Sequence, residues 1–108
     1  MKNFQLMDGW EFHDPDPFAQ PLLVTADGRI LRFALRPGQT VKEHNAPHSP
    51  VYVVVLAGSG TFSGADGKEE LYGSNSLITF DASENHSIRA LDEELVFLAF
   101  LQGAPGYK

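Results

Sequence analysis

PGQTVKEHNAPHSPVYVVVLAGSG, residues Pro37 to Gly60, decides how this chain is read. A Pro-Gly turn leads into a short polar strand ending at His44. A loop bracketed by Pro47 and Pro50 then carries His48, and a strongly apolar strand closes at glycines. The same logic recurs in GSNSLITFDASENHSIRA, Gly73 to Ala90, where an apolar strand and a turn over Asp81 to Asn85 lead to His86 at the mouth of another strand. Two histidines far apart in sequence, each at a strand mouth, point to one shared site. Imidazole is a frequent ligand of divalent transition metals, so that site is a candidate metal pocket in a small β-barrel.

Working outward, turn signals recur about every ten residues, the spacing of an all-β sandwich or barrel. Between them lie runs rich in Val, Ile, Leu, Phe and Thr. These predict strands over Pro21 to Thr25, Arg29 to Arg36, Thr40 to His44, Val51 to Ala57, Gly60 to Ser63, Glu69 to Tyr72, Ser76 to Phe80, His86 to Leu91 and Glu94 to Leu101. No segment carries a helical period. In the second run Leu31, Phe33 and Leu35 share one face, and Ile30, Arg32, Ala34 and Arg36 share the other, which the alternation predicts to be wet. Val51 to Leu56 and Leu95 to Leu101 are apolar throughout, as in strands covered on both faces. In so small a protein this points to a second subunit and a homodimer. Residues 1–20, with two Asp-Pro steps, show no period and read as an arm that pairs along a sheet edge, leaving 21–108 as a single barrel domain.

With 108 residues there is room for one ordinary domain, and 43% hydrophobic content with eight Phe is enough for a core without staples. The absence of cysteine removes disulfides, thiolate ligands and Cys nucleophiles together. Fourteen acidic residues against eight scattered basic ones give a field that repels phosphate backbones, so no nucleic-acid partner is expected. The longest apolar run is too short to span a bilayer, and MKNFQLMDGW lacks the features of a secretory signal. The expectation is a cytoplasmic protein without a membrane partner. GSGTFSGADG lies between strands and opens no helix, so it is no phosphate loop, and Ser49, Ser63 and Ser87 lack the oriented partners of a catalytic triad.

The two segments resemble the cupin superfamily, of the RmlC-like jelly-roll type, over nearly all of Gln39 to Leu101. In the first cupin motif, glycine, five residues, His, one residue, His, three or four residues, Glu, six residues and glycine follow in order. Here Gly38, His44 and Gly58 hold the frame, while Ala46 stands for the second His and Val51 for the Glu. The second motif falls on Asn75 to His86 and keeps its His. The resemblance implies an antiparallel double-stranded β-helix and a site built on three imidazoles and one carboxylate around iron, manganese, nickel or zinc. Ala46 and Val51 supply no donor, and His48 is the candidate to swing into the gap, giving a His44, His48 and His86 metal set. Lacking the carboxylate, such a site is more positive than usual and favours an anionic, chelating small substrate such as a keto acid or enolate.

Other readings stand beside this one. His44 and His86 also suit a metal-free pocket that binds or senses a small molecule without catalysis, and a purely structural or storage barrel is a third class. His13 belongs to the solvated arm, unless the arm covers the barrel mouth and lends a ligand. Glu43 should point away from His44's face unless a bulge intervenes. Glu84 and Asp81 read as solvated turn acids, Glu84 being near enough to accept a hydrogen bond from an imidazole. Val51, Val53, Phe33, Ile78 and Phe80 are the candidate apolar walls.

Overall fold

A computed structural model of the chain describes residues 1–44 and 49–102, with the backbone alone for 42–44. Among them there is no helix. The strands are β1 (Gln20–Val24), β2 (Gly28–Leu35), β3 (Thr40–His44), β4 (Val51–Ala57), β5 (Ser59–Ser63), β6 (Glu70–Gly73), β7 (Leu77–Phe80), β8 (His86–Ala90) and β9 (Leu95–Gln102). All nine strands expected from the sequence are present, with ends moved by one residue at most.

They form two antiparallel sheets, ordered β1-β2-β9-β4-β7 and β3-β8-β5-β6, packed as the double-stranded β-helix that the sequence predicts. Alternation selects the core. Leu35 from β2, Val51, Val53 and Val55 from β4, and Leu95, Phe97 and Ala99 from β9 meet Phe62 from β5 and Ile88 and Ala90 from β8. Each fully buried Val, Leu, Ile or Phe side chain contributes about 1.5 to 3 kcal/mol. Gly58 joins β4 to β5 at φ 76°, and a Cβ there would run into the carbonyl oxygen of Glu94, so only glycine fits this corner.

The outer face of β2 is not wet. Arg32 is 4% exposed and Ala34 is buried, because the arm crosses this face. Arg32 Nη1 donates to the carbonyl of Leu6 (3.0 Å), Nη2 to that of Gly9 (2.9 Å), and Nε and Nη2 both donate to Oε1 of Gln20. Further along, Arg36 lies over the Phe12 ring and pairs with Asp14, while Gln39 Nε2 donates to the carbonyls of His13 and Pro15. The arm therefore lies over the sheet instead of extending its edge, and no strand begins before Gln20. Val96 and Leu98, the cross-strand partners of Ala34 and Arg32, are buried on the same outer side and stand apart from the core cluster. The apolar length of β9 is thus partly covered by the chain itself. On β4 and β7 that cover ends: Tyr52 is 42% and Leu77 66% exposed.

Candidate functional site

β3 and β8 bring the two motif histidines together. Val41 pairs with Ile88 and His44 with His86, so three residues of β3 span the distance that two cover on β8. One extra residue sits between Val41 and His44. Regular alternation would set Glu43 in step with Val41, and the bulge instead makes His44 the register partner of His86. The side chains of Glu43 and His44 lie outside the described residues, as does the whole of His48.

His86 opens β8 and is 3% exposed. Its Nδ1 lies 3.1 Å from the carbonyl oxygen of Glu84. A carbonyl only accepts, so Nδ1 carries the proton, and in the neutral ring the lone pair is on Nε2. One face of the imidazole is stacked on Phe80, with centroids 4.4 Å apart and planes 14° from parallel. The ring forms part of the wall of an interior cavity of about 70 Å³, together with Leu31, Phe33, Val51, Val53 and Leu101. Every other described wall residue is apolar, which makes His86 the single polar side chain among the described walls.

The carboxylate of Glu84 serves the backbone. Oε2 accepts from the N–H of Ala65 and Oε1 from that of Asp81, both at 2.9 Å. These bonds, Ala65 first, lower its pKa below the ordinary glutamate value. A Cβ at position 64 would collide with Oε2, so Gly64 makes room for the contact. Glu84 thus reaches the imidazole through its carbonyl, where the sequence suggested its side chain. The sequence signal for the β3 bulge was parity, since Val41 and His44 are three apart and cannot share a face in a regular strand. The Phe80 stack had no such signal.

Ile78 and Phe80 border a different hollow from the one predicted. They help line a groove of about 450 Å³ at the open side between β6 and β7, rimmed by Asp66, Lys68, Glu70 and Tyr72. Phe80 lines this groove and also stacks on His86. Tyr72 donates to Glu70 (2.8 Å), which raises its pKa. His13 does not reach the mouth. Its ring packs on Phe18, and its carbonyl binds Gln39, at the end of β3 opposite His44. Ser49 is structural: its hydroxyl donates to the Pro50 carbonyl and accepts from the N–H of Gln102, tying β4 to β9.

A family model described as the cupin domain matches residues 31–101. The chain belongs to the cupin family. Cupins share this sheet arrangement, and they commonly bind metals and small-molecule ligands. Similar solved structures include a protein with a double-stranded β-helix domain from Klebsiella pneumoniae (TM-score 0.89, 16% identity, 99% of this chain and 94% of that one). A second is an RmlC-like cupin from Desulfovibrio desulfuricans (TM-score 0.85, 21% identity, 94% and 96%). A third is named a predicted oxalate decarboxylase, from Thermotoga maritima (TM-score 0.67, 26% identity, 72% and 68%). No functionally curated protein matches the sequence.

The donor set differs from the three imidazoles and one carboxylate of the usual cupin metal site. Among the described residues no three His, Cys, Asp or Glu side chains come together. Val51, at the place of the cupin Glu, is a buried wall residue. What fits a divalent ion is imidazole alone: His86 with its tautomer set, and His44 at the paired register position. Among the described residues no helix is long and apolar enough to cross a membrane.

Proposed function

We propose that this cupin is a divalent-metal-dependent protein acting on a small, anionic, chelating organic substrate at the barrel mouth, with His44, His48 and His86 as the metal ligands. The observation that carries this reading is the bulged register of β3, which pairs His44 with a buried, carbonyl-anchored His86. Iron, manganese, nickel and zinc all accept imidazole ligands, and with no carboxylate the ion keeps more positive charge for an anionic ligand. When bound, the metal supplies Lewis acidity at an open coordination position. The protein's own part is to fix the imidazoles and to exclude water with the walls of Phe33, Val51 and Val53.

A second reading, a metal-free pocket that binds a small molecule without catalysis, is favoured by the apolar character of the cavity wall. Metal content separates the two. In untagged protein the expected result is close to one transition metal per subunit, lost in His86→Ala and His44→Ala and strongly reduced in His48→Ala. Wild-type protein that stays metal-free when offered zinc, nickel, manganese and iron overturns the metal reading and favours the binding pocket.

The arm of 1–20 and the barrel of 21–108 are proposed to act as one unit in the cytoplasm, and two copies to join through the uncovered outer face around Tyr52, Val54, Leu77 and Phe100. A hollow of about 280 Å³ between Leu23, Ile30, Tyr52 and Phe100 offers that face some relief. Sedimentation at micromolar concentration should give a dimer, and a monomer there would reject the pairing.

A further inference from the structure

We propose that Arg29 is the anion anchor of the barrel mouth, where its guanidinium receives the carboxylate of a short-chain acid whose small apolar body enters the interior cavity. The proposal rests on the mouth being the ligand site and needs no metal. It adds a residue that lies outside both cupin motifs. The four arginines of the chain differ in what receives their protons. Arg32 is matched by backbone carbonyls and Gln20, Arg36 pairs with Asp14, and Arg89 with Glu69. Arg29 donates to nothing among the described residues, although its Nε is shielded from solvent. Buried donors are nearly always paired, and an unpaired one is costly. A ligand carboxylate supplies the missing acceptor.

Strand register places this guanidinium at the site. β2 pairs with β9 without a break, so alternation puts Arg29 on the inner face with Leu31, Phe33 and Leu35. Its cross-strand partner is Leu101, which pairs with Val51, and Val51 pairs with Phe80, the ring stacked on His86. This row crosses the sheet at the level of the mouth. Leu31, Leu101, Val51 and His86 line the cavity of about 70 Å³, so Arg29 stands at its rim. Adjacent strands are about 4.8 Å apart, which sets Arg29 about 10 Å from Val51, a span that an arginine side chain and a small acid bridge together. The side chain is only partly buried and can be approached from solution. A cavity of this size holds about two water volumes, and its apolar wall suits a methyl or short alkyl group. The planar guanidinium meets a carboxylate with two parallel hydrogen bonds, which a neutral amide cannot reproduce.

The test titrates pyruvate, and pyruvamide as its neutral counterpart, into the whole chain labelled with nitrogen-15 and carbon-13, with and without added zinc. Pyruvate should move the Arg29 Nε–H signal together with the methyl signals of Leu31, Val51 and Leu101, and pyruvamide should bind at least tenfold more weakly. Arg29→Gln should lose at least tenfold in pyruvate affinity. Arg29→Lys keeps the charge without the fork and should recover part of it. Lys68→Gln, a cation on the rim of the groove between β6 and β7, should bind as the wild type does. Amide spectra confirm that each variant is folded. Arg29 also borders the hollow on the outer face, so shifts confined to the methyls of Leu23 and Ile30 would place the anion there and overturn the proposal. Equal pyruvate affinity in wild type and folded Arg29→Gln, or no pyruvate binding with or without zinc, overturns it as well. If zinc is taken up in that case, the metal reading still stands. Pyruvate binding that depends on Arg29 in a protein that refuses every metal supports the anchor and overturns the metal reading.

Discussion

Arg32 and His86 are both buried side chains able to carry positive charge, on strands of the same small barrel, and their surroundings differ in kind. Arg32 lies on the outer face, where the carbonyls of Leu6 and Gly9 and the side-chain oxygen of Gln20 receive its guanidinium protons. His86 lies on the inner face, with one nitrogen on the Glu84 carbonyl, a phenyl ring on one side and an apolar cavity beside it. A buried cation wrapped in neutral acceptors fixes chain geometry, because moving any acceptor leaves charge without compensation. An imidazole hydrogen-bonded at one nitrogen and stacked on one face is held still beside a cavity instead. The same fold thus uses one polar burial to hold its arm, and under the metal reading proposed above the other serves the site.

The contrast predicts where each region fails. Arg32→Ala removes the donor to several partly buried acceptors at once, and should cost about 2 to 3 kcal/mol and release the arm. Urea denaturation and proteolysis within residues 1–19 would measure this, and an arm still protected in the variant would break the comparison. His86→Ala should be milder for stability, about 1 to 2 kcal/mol, while metal per subunit falls more than tenfold. Equal losses of stability in the two variants would show that both sites are structural.

Acid should distinguish the two regions next. The acceptors of Arg32 do not titrate, and the arm's exposed Arg36–Asp14 pair contributes little. Glu84, whose carboxylate accepts from the backbone N–H of Ala65 and then of Asp81, has a lowered pKa in the folded chain. Its stabilisation is therefore present above the unfolded glutamate value and is lost as pH falls through the folded one. Below pH 4.5, the ordinary value, amide exchange should rise first in the Asp81 to His86 turn and only later beneath the arm. The smallest effect belongs to the bare half of the outer face. Leu77→Glu, at a 66% exposed position, should change monomer stability by less than about 0.5 kcal/mol, while abolishing a dimer seen by sedimentation.

Local pattern made the strands legible, because every one of them sits between turn residues and carries β-branched or aromatic side chains. The cover over Arg32 was not legible, since the arm that supplies it has no period of its own, and what buries a strand face is settled by residues far away in sequence. The site was readable only in part. Motif spacing singles out His44 and His86 as candidates, and β3 and β8 pair the two in register. Glu84 was noticed for its carboxylate, although its carbonyl is what meets the imidazole. Backbone groups carry no signature in a residue's identity. Phe80 was assigned to a wall, and the stacking that matters depends on a rotamer that no spacing encodes.

The burial of Val96 and Leu98 on the side crossed by the arm also orders events during synthesis. The arm leaves the ribosome well before β9 does, and the sheet face that it crosses is incomplete until β9 has paired with β2 and β4. At typical translation speeds that interval is on the order of several seconds. During it, the arm around Leu6 and Gly9, whose carbonyls bind Arg32, has no finished surface to rest on. The arm must therefore be seated after the barrel has closed.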